Sequence, residues 1–263
     1  MNEDVSFTVS ARGKNEKMPL LEFLGSFFSS LPLNQIDSVF GFLEPSSLYS
    51  GRPFLRRQLS DTDVEQMYEN GIGLRIPCSN HFVTEKEYED NIPFLEKYQR
   101  KGNSLICTND MLAQWIKRDF PSYQVEGSIL KEIDTHEKID RALELYDTII
   151  LPMNLNYNTE FLSSIKTKER ITLFGNAGCA LTCPKRICYE VVSGLNKKLV
   201  VQNRVRRYIS FVFRMGLQID WCSYRLHPRK LKGLVDFDLE YLYSLGFRRF
   251  KMLREHKKQR TGY

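Results

Sequence analysis

Apolar positions along this chain follow two rhythms that take turns. Residues 5–9 (VSFTV) and residues 36–43 are short runs rich in β-branched and aromatic side chains, the composition of strands. Between them, Pro19 opens an apolar helical stretch that reaches Leu31. Residues 61–70 predict a helix with an acidic first turn, ended by Gly71, and residues 72–77 predict the next strand. Thr84 is a capping residue for a helix with Glu85 and Glu87 in its first turn, running toward Gly102 across Pro93. The alternation continues with strands at 104–107, 124–129, 148–151 and 170–174, and helices at 110–119, 134–146 and 159–165. A helix at 238–245 and a strand at 247–252 end the pattern. Alternating β and α elements imply a parallel sheet. Eight such strands predict a single (β/α)8 TIM-like barrel, with a doubly wound open sheet as the alternative. Residues 184–235 are longer than a plain βα unit and predict an irregular insertion after strand seven.

Length and composition agree with this picture. A chain of 263 residues, 42% hydrophobic, is sized for one barrel domain spanning 1–263, with a cysteine-containing segment at 176–235 and a basic tail at 255–263. No apolar run approaches the roughly 18–20 residues that cross a bilayer. Met1-Asn2-Glu3-Asp4 is polar and acidic, without the basic and apolar regions of a secretory signal, so a cytoplasmic location is expected. The net charge of +6 is concentrated in the C-terminal half. Such a field attracts RNA or an acidic partner, although a solvated basic face is the plainer reading.

In barrels of this kind chemistry sits at the C-terminal ends of the strands. A ring of amides and neighbouring polar groups falls there: Asn80 and His81 after strand three, Asn109 after strand four, Asn154 and Asn156 after strand six, and Asn176 after strand seven. Asn80, His81, Asn154 and Asn176 are the candidate catalytic residues, because amides orient a polar substrate through paired donors and acceptors. The competing role for each is to cap a helix or shape a turn. Arg52, in Gly51-Arg52-Pro53 after strand two, either enters the barrel mouth or lies exposed on its loop.

Cysteine usage adds the strongest chemical signal. Four of six cysteines, Cys179, Cys183, Cys188 and Cys222, fall in one stretch. In a reducing compartment such a cluster points to metal or redox chemistry. Pro184 suits the first turn of a helix, which places Cys183 at a helix start, where free N–H groups stabilise thiolate, the metal-binding species. Cys179 lies in the preceding loop, and Cys222 is placed to fold back. Five residues of helix turn Cys188 through about 500°, roughly 140° away from Cys183, so it need not face the same centre. Arg186 stands where the third cysteine of the C-x3-C-x2-C signature of radical S-adenosylmethionine enzymes belongs. Zinc is the rival metal to iron–sulfur, although no C-x2-C pair is present. Cys78 and Cys107, on strands three and four, read as core cysteines.

The segment Asn176-Ala177-Gly178-Cys179…Cys183-Pro184-Lys185-Arg186 resembles the N-x-G-C-x3-C-P-x-R element of the collagenase-like (U32) peptidase family, which includes oxygen-independent hydroxylases of ubiquinone synthesis and of RNA. Cys222, Pro228 and the run from Asp238 through Gly246-Phe247 to Phe250-Lys251-Met252-Leu253-Arg254 resemble that family's ending, with Leu253 where it has glycine. Gly71-Ile72-Gly73 and Leu151-Pro152-Met153-Asn154 resemble its barrel strands. The resemblance implies a barrel and a 4Fe–4S cluster on Cys179, Cys183, Cys222 and a fourth ligand, for which Cys188 is the candidate. It implies an iron–sulfur enzyme of oxygen-independent hydroxylation or a related redox modification, acting on a small molecule, an RNA base or a peptide. A peptidase-like hydrolase is the second reading, and a non-catalytic iron–sulfur subunit of a heterodimer the third. Neither H-E-x-x-H nor G-x-S-x-G is present to support hydrolysis.

Overall fold

Eight strands pair edge to edge, all in parallel, until the last meets the first. The computed structural model describes residues 4–14, 16–54, 56–178, 181, 188–199 and 235–253, with the backbone alone at 188 and 199. The strands are β1 (Ser6–Ser10), β2 (Ile36–Phe40), β3 (Gly73–Ile76), β4 (Ser104–Cys107), β5 (Gln124–Gly127), β6 (Thr148–Ile150), β7 (Ile171–Phe174) and β10 (Arg249–Met252). Two-residue strands β8 (Asn176–Ala177) and β9 (Val235–Asp236) form a separate antiparallel pair that interrupts the sequence between β7 and β10. Around the barrel the order is β1-β10-β7-β6-β5-β4-β3-β2, so the predicted closed barrel, rather than an open sheet, is what forms. Among the described residues no helix is long and apolar enough to cross a membrane.

The outer layer is α1 (Leu20–Phe27), α2 (Asp61–Glu69), α3 (Glu85–Asp90), α4 (Ile92–Lys97), α5 (Asp110–Asp119), α6 (His136–Leu145), α7 (Thr159–Ser164), α8 (Cys188–Leu199) and α9 (Leu239–Ser244). Their starts follow from capping chemistry. Ser60 and Asp63 form a reciprocal capping box on α2, and Thr84 and Glu87 form one on α3. Asn109 and Asp238 cap α5 and α9 through their side-chain oxygens. Gly71, at φ 70°, takes the left-handed turn after α2 that side chains disfavour.

The single helix expected from Thr84 toward Gly102 is instead two. Pro93 has no N–H to donate, and the chain breaks at Asn91, whose Nδ2 donates to the Glu87 carbonyl at 2.6 Å and the Ser47 hydroxyl at 3.0 Å. The second and last barrel strands are also shorter than the runs at 36–43 and 247–252 that predict them.

Each barrel strand buries both faces, with different chemistry on each. Phe7, Val9, Leu74, Ile76, Leu105, Val125, Ile149, Leu173 and Phe250 belong to the main apolar core. Between them along the strands lie the buried polar residues Thr8, Ser38, Arg75, Ser104, Glu126, Thr148, Thr172 and Lys251, joined near the C-terminal strand ends by the apolar Phe40, Ile106 and Phe174. Several of these meet across strands that are not neighbours, which only the barrel interior permits. The period of two therefore sends the first set toward the helices and the second, mostly polar, set inward.

Candidate active site at the barrel mouth

The interior is built in two levels. At the lower level Arg75, 2% exposed, donates from Nη2 to Glu126 Oε2 at 2.8 Å, joining β3 to β5. Its Nε donates to Ser104 Oγ at 3.1 Å, and its Nη1 donates to Thr8 Oγ1. The same Glu126 oxygen accepts from Thr172 at 2.9 Å and Thr148 at 3.2 Å. Two charges are stable in such a place only when paired and hydrogen-bonded, and this network pairs them. The other carboxylate oxygen, Oε1, is buried without a partner among the described residues.

The upper level opens into a chamber at the C-terminal ends of the strands. Phe40, Phe174 and Lys251 line it from the strands, Arg12 and Arg52 from the loops after β1 and β2, and Tyr189 from α8. The chamber is open to solvent at the C-terminal ends of the strands. Lys251 is 6% exposed, with Nζ 4.3 Å from the centre of the Phe40 ring and 5.9 Å from that of Phe174. Its ammonium makes no hydrogen bond with any described residue. Burial pushes its pKa down to about 7; the attraction of Glu126 opposes this, and repulsion from Arg75 and Arg52 adds to it. Arg52 reaches the mouth, one of its two expected placements, with its guanidinium 4.7 Å over the Phe42 ring and donating to Gln58.

Helix α8 packs against the loops after β2 and β3, at one side of this mouth. Ser193, fully buried, shares hydrogen bonds with Ser50 Oγ at 2.7 Å and His81 Nδ1 at 3.0 Å. Asn196 accepts from the Phe54 N–H and donates to the Tyr49 and Arg52 carbonyls, all near 3.0 Å. Lys197 pairs with Glu87 at 3.0 Å. Burial lowers the His81 pKa, with Glu190 pulling the other way, so the imidazole that meets Ser193 is held neutral.

The predicted amides stand at the site end but face different tasks. Asn80 donates to the Ser47 carbonyl at 2.7 Å and the Ser193 carbonyl at 3.0 Å, tying α8 to the loop after β2. Asn109 caps α5 and donates to the His81 carbonyl. Asn156 donates to the Phe174 carbonyl at 2.7 Å, and Asn176 accepts from the Leu253 N–H at 2.7 Å. Asn154 is exposed in the turn Met153–Tyr157 and does not line the chamber. Asn80 and His81 are thus brought together against α8, and Asn176 braces the neighbouring strand ends.

Cys179, Cys183 and Cys222 lie outside the described residues, as does the basic tail at 255–263; Cys188 opens α8 and its backbone alone is described. Among the described residues no group of three or more His, Cys, Asp and Glu side chains is placed to hold a metal ion. Cys78 and Cys107 are free, buried thiols whose pKa burial raises well above the usual value, as expected of core cysteines. Arg75 and Glu126 are not among the residues the sequence singles out, and Lys251 enters there only within the ending that resembles the U32 family. Their signal is the polar residue at every second position of strands otherwise made of Val, Ile, Leu and Phe.

No protein-family model matches the chain, and no curated protein matches it. Among solved structures the chain is similar to the structure of the U32 peptidase Mk0906, with a TM-score of 0.62 and 12% identity, over 97% of this chain and 94% of that one. The fold is therefore a closed (β/α)8 barrel of the kind seen in that U32 peptidase structure.

Proposed function

We propose that this chain is a barrel enzyme that binds a small anionic substrate in the mouth above Lys251 and carries an iron–sulfur cluster, a 4Fe–4S centre on Cys179, Cys183, Cys222 and Cys188, beside that mouth. The reaction is an oxygen-independent hydroxylation or a related redox modification. One observation carries this reading: Cys179 and Cys183 fall in the stretch between two elements anchored at the mouth, and Cys188 opens the second of them. Upstream, Asn176 of β8 is bonded to Leu253 at the end of β10; downstream, α8 is bonded to the loops after β2 and β3. Cys179 is two residues past Ala177, at most about 7 Å of extended chain. Four thiolates are the donor set of such clusters, which supply electrons when bound. Arg12, Arg52 and Lys251 attract an anionic group, the Phe40 and Phe174 rings pack a flat apolar body, and α8 shields one side of the chamber from water.

A peptidase-like hydrolase is the second reading, supported by the U32 peptidase structure. The geometry argues against its simplest form. Ser193 has a histidine partner in His81, but it is fully buried and also bonded to Ser50, leaving an attacked carbonyl no access. The test is purification without oxygen, followed by a visible spectrum with iron and sulfide analysis. A broad band near ~400 nm is expected, lost in a Cys179→Ala, Cys183→Ala double variant. A colourless, iron-free protein that cleaves labelled gelatin would overturn the cluster and favour the hydrolase.

A further inference from the structure

The least explained group in the chamber is Lys251. A lysine this deep in a barrel normally ends on a carboxylate, and one is close: Glu126 is near enough to act on its charge and has a buried oxygen without a partner. Yet Nζ forms no ion pair with it. The amine instead faces the chamber, between the rings of Phe40 and Phe174. The aromatic faces favour the ammonium but give its N–H groups no strong acceptor, so hydrogen bonding does not offset the burial that lowers its pKa. Arg12 and Arg52 line the same space, and each guanidinium is a fork that suits a carboxylate.

We infer that Lys251 is an amine nucleophile that captures a small carbonyl compound bearing a carboxylate, such as a 2-oxo acid, as an imine on Nζ. The nitrogen lone pair attacks the carbonyl carbon, and the C–N bond forms as the C=O π pair moves to oxygen. Oxygen takes one proton to give the carbinolamine. It then leaves as water, carrying both hydrogens of the original NH2, and the C=N double bond closes. No oxidant or reductant is consumed. The carboxylate is held by Arg12 and Arg52, and burial lowers the Lys251 pKa to about 7, so the free amine that attacks is well populated near neutral pH. Among the described residues, the titratable and charged groups around Nζ are Glu126, Arg75, Arg52, Arg12 and Tyr189. The inference needs the mouth to be the substrate chamber and does not need the cluster.

The full chain is incubated separately with glyoxylate, pyruvate and 4-carboxybenzaldehyde in the presence of sodium cyanoborohydride. Intact mass and peptide mapping then locate the reduced adduct. The expected result is one adduct per chain, on Lys251, formed at least tenfold faster than on any exposed lysine and already fast near neutral pH. It disappears in Lys251→Met, with the circular dichroism spectrum unchanged. Because the adduct is mapped on the unaltered protein, a variant that fails to fold does not decide the matter. Adducts spread over exposed lysines with Lys251 unmodified overturn the imine. So does thermal stabilisation by both pyruvate and its alcohol analogue lactate without any adduct, an outcome that leaves the chamber as a binding site. The iron analysis is independent of all these arms, so the cluster and the imine fail separately.

Discussion

Arg75 and Glu126 place two full charges in a barrel interior that branched apolar side chains usually fill. Their worth lies in being paired. Glu126→Ala leaves a buried guanidinium with only hydroxyls for company, and the expected cost is about 3–5 kcal/mol, read as a fall in the urea midpoint. Replacing both partners, as Arg75→Leu with Glu126→Leu, removes the stranded charge and is expected to recover most of that loss. A double variant no more stable than Glu126→Ala would mean that the pair stabilises the fold through more than mutual neutralisation. Glu126 also opposes the downward push of burial on Lys251, so the lower network and the chamber amine are electrically linked. Residue identities at this scale were visible in the sequence, but their direction was not. A strand buried on both faces gives no exposed side to orient it. Thr8, Arg75 and Glu126 then read as interruptions of an apolar run rather than as one inward face.

At the scale of elements, helix α8 depends on polar contacts that change with pH. His81 is neutral where it meets Ser193, because burial lowers its pKa below the ordinary value. Above the unfolded value of about 6.5, both folded and open states are neutral and nothing is lost. As pH falls below it, the open state takes the proton first, so the docked state loses stability in that window. Hydrogen exchange of the α8 amides, corrected for the intrinsic pH effect, is expected to speed several-fold between about pH 7.5 and about pH 5.5, relative to the strands. His81→Asn, which cannot take the proton, is expected to flatten that response. An α8 that loosens equally in both proteins would place the pH sensitivity elsewhere. The elements were the most legible part of the sequence. Capping side chains at Ser60, Thr84, Asn109 and Asp238 mark helix starts, and Gly71 marks a stop. The amide ring was less legible: an asparagine at a strand end is as well suited to bracing a loop as to holding a substrate. Asn80, Asn109, Asn156 and Asn176 all engage backbone groups.

For the whole molecule, the seam between the first and last barrel strands is what turns a row of βα units into a closed ring. It joins residues some 240 positions apart, from Ser6 opposite Arg249 to Val9 opposite Met252. Eight alternating strands favour closure, which removes two edges, but leave an open sheet as the alternative; the β1–β10 pairing decides between them. Phe7 is fully buried at the seam, its ring 6.0 Å from that of Phe250 in the partner strand. Phe7→Ala removes that contact and leaves a cavity, at an expected cost of about 3–5 kcal/mol. For a chain of this size that is a fall in Tm of roughly 10 °C. If closure makes the barrel one cooperative unit, the loss must register far from the seam. Trp115 on α5, which follows β4 on the opposite side of the ring, provides the probe. In a Trp221→Phe background, Trp115 fluorescence and far-ultraviolet circular dichroism are expected to report the same lowered midpoint in the Phe7→Ala protein. Fluorescence that keeps its original midpoint while circular dichroism shifts would show that the β4–β5 side stands without the seam, and that the ring is assembled from parts that melt separately.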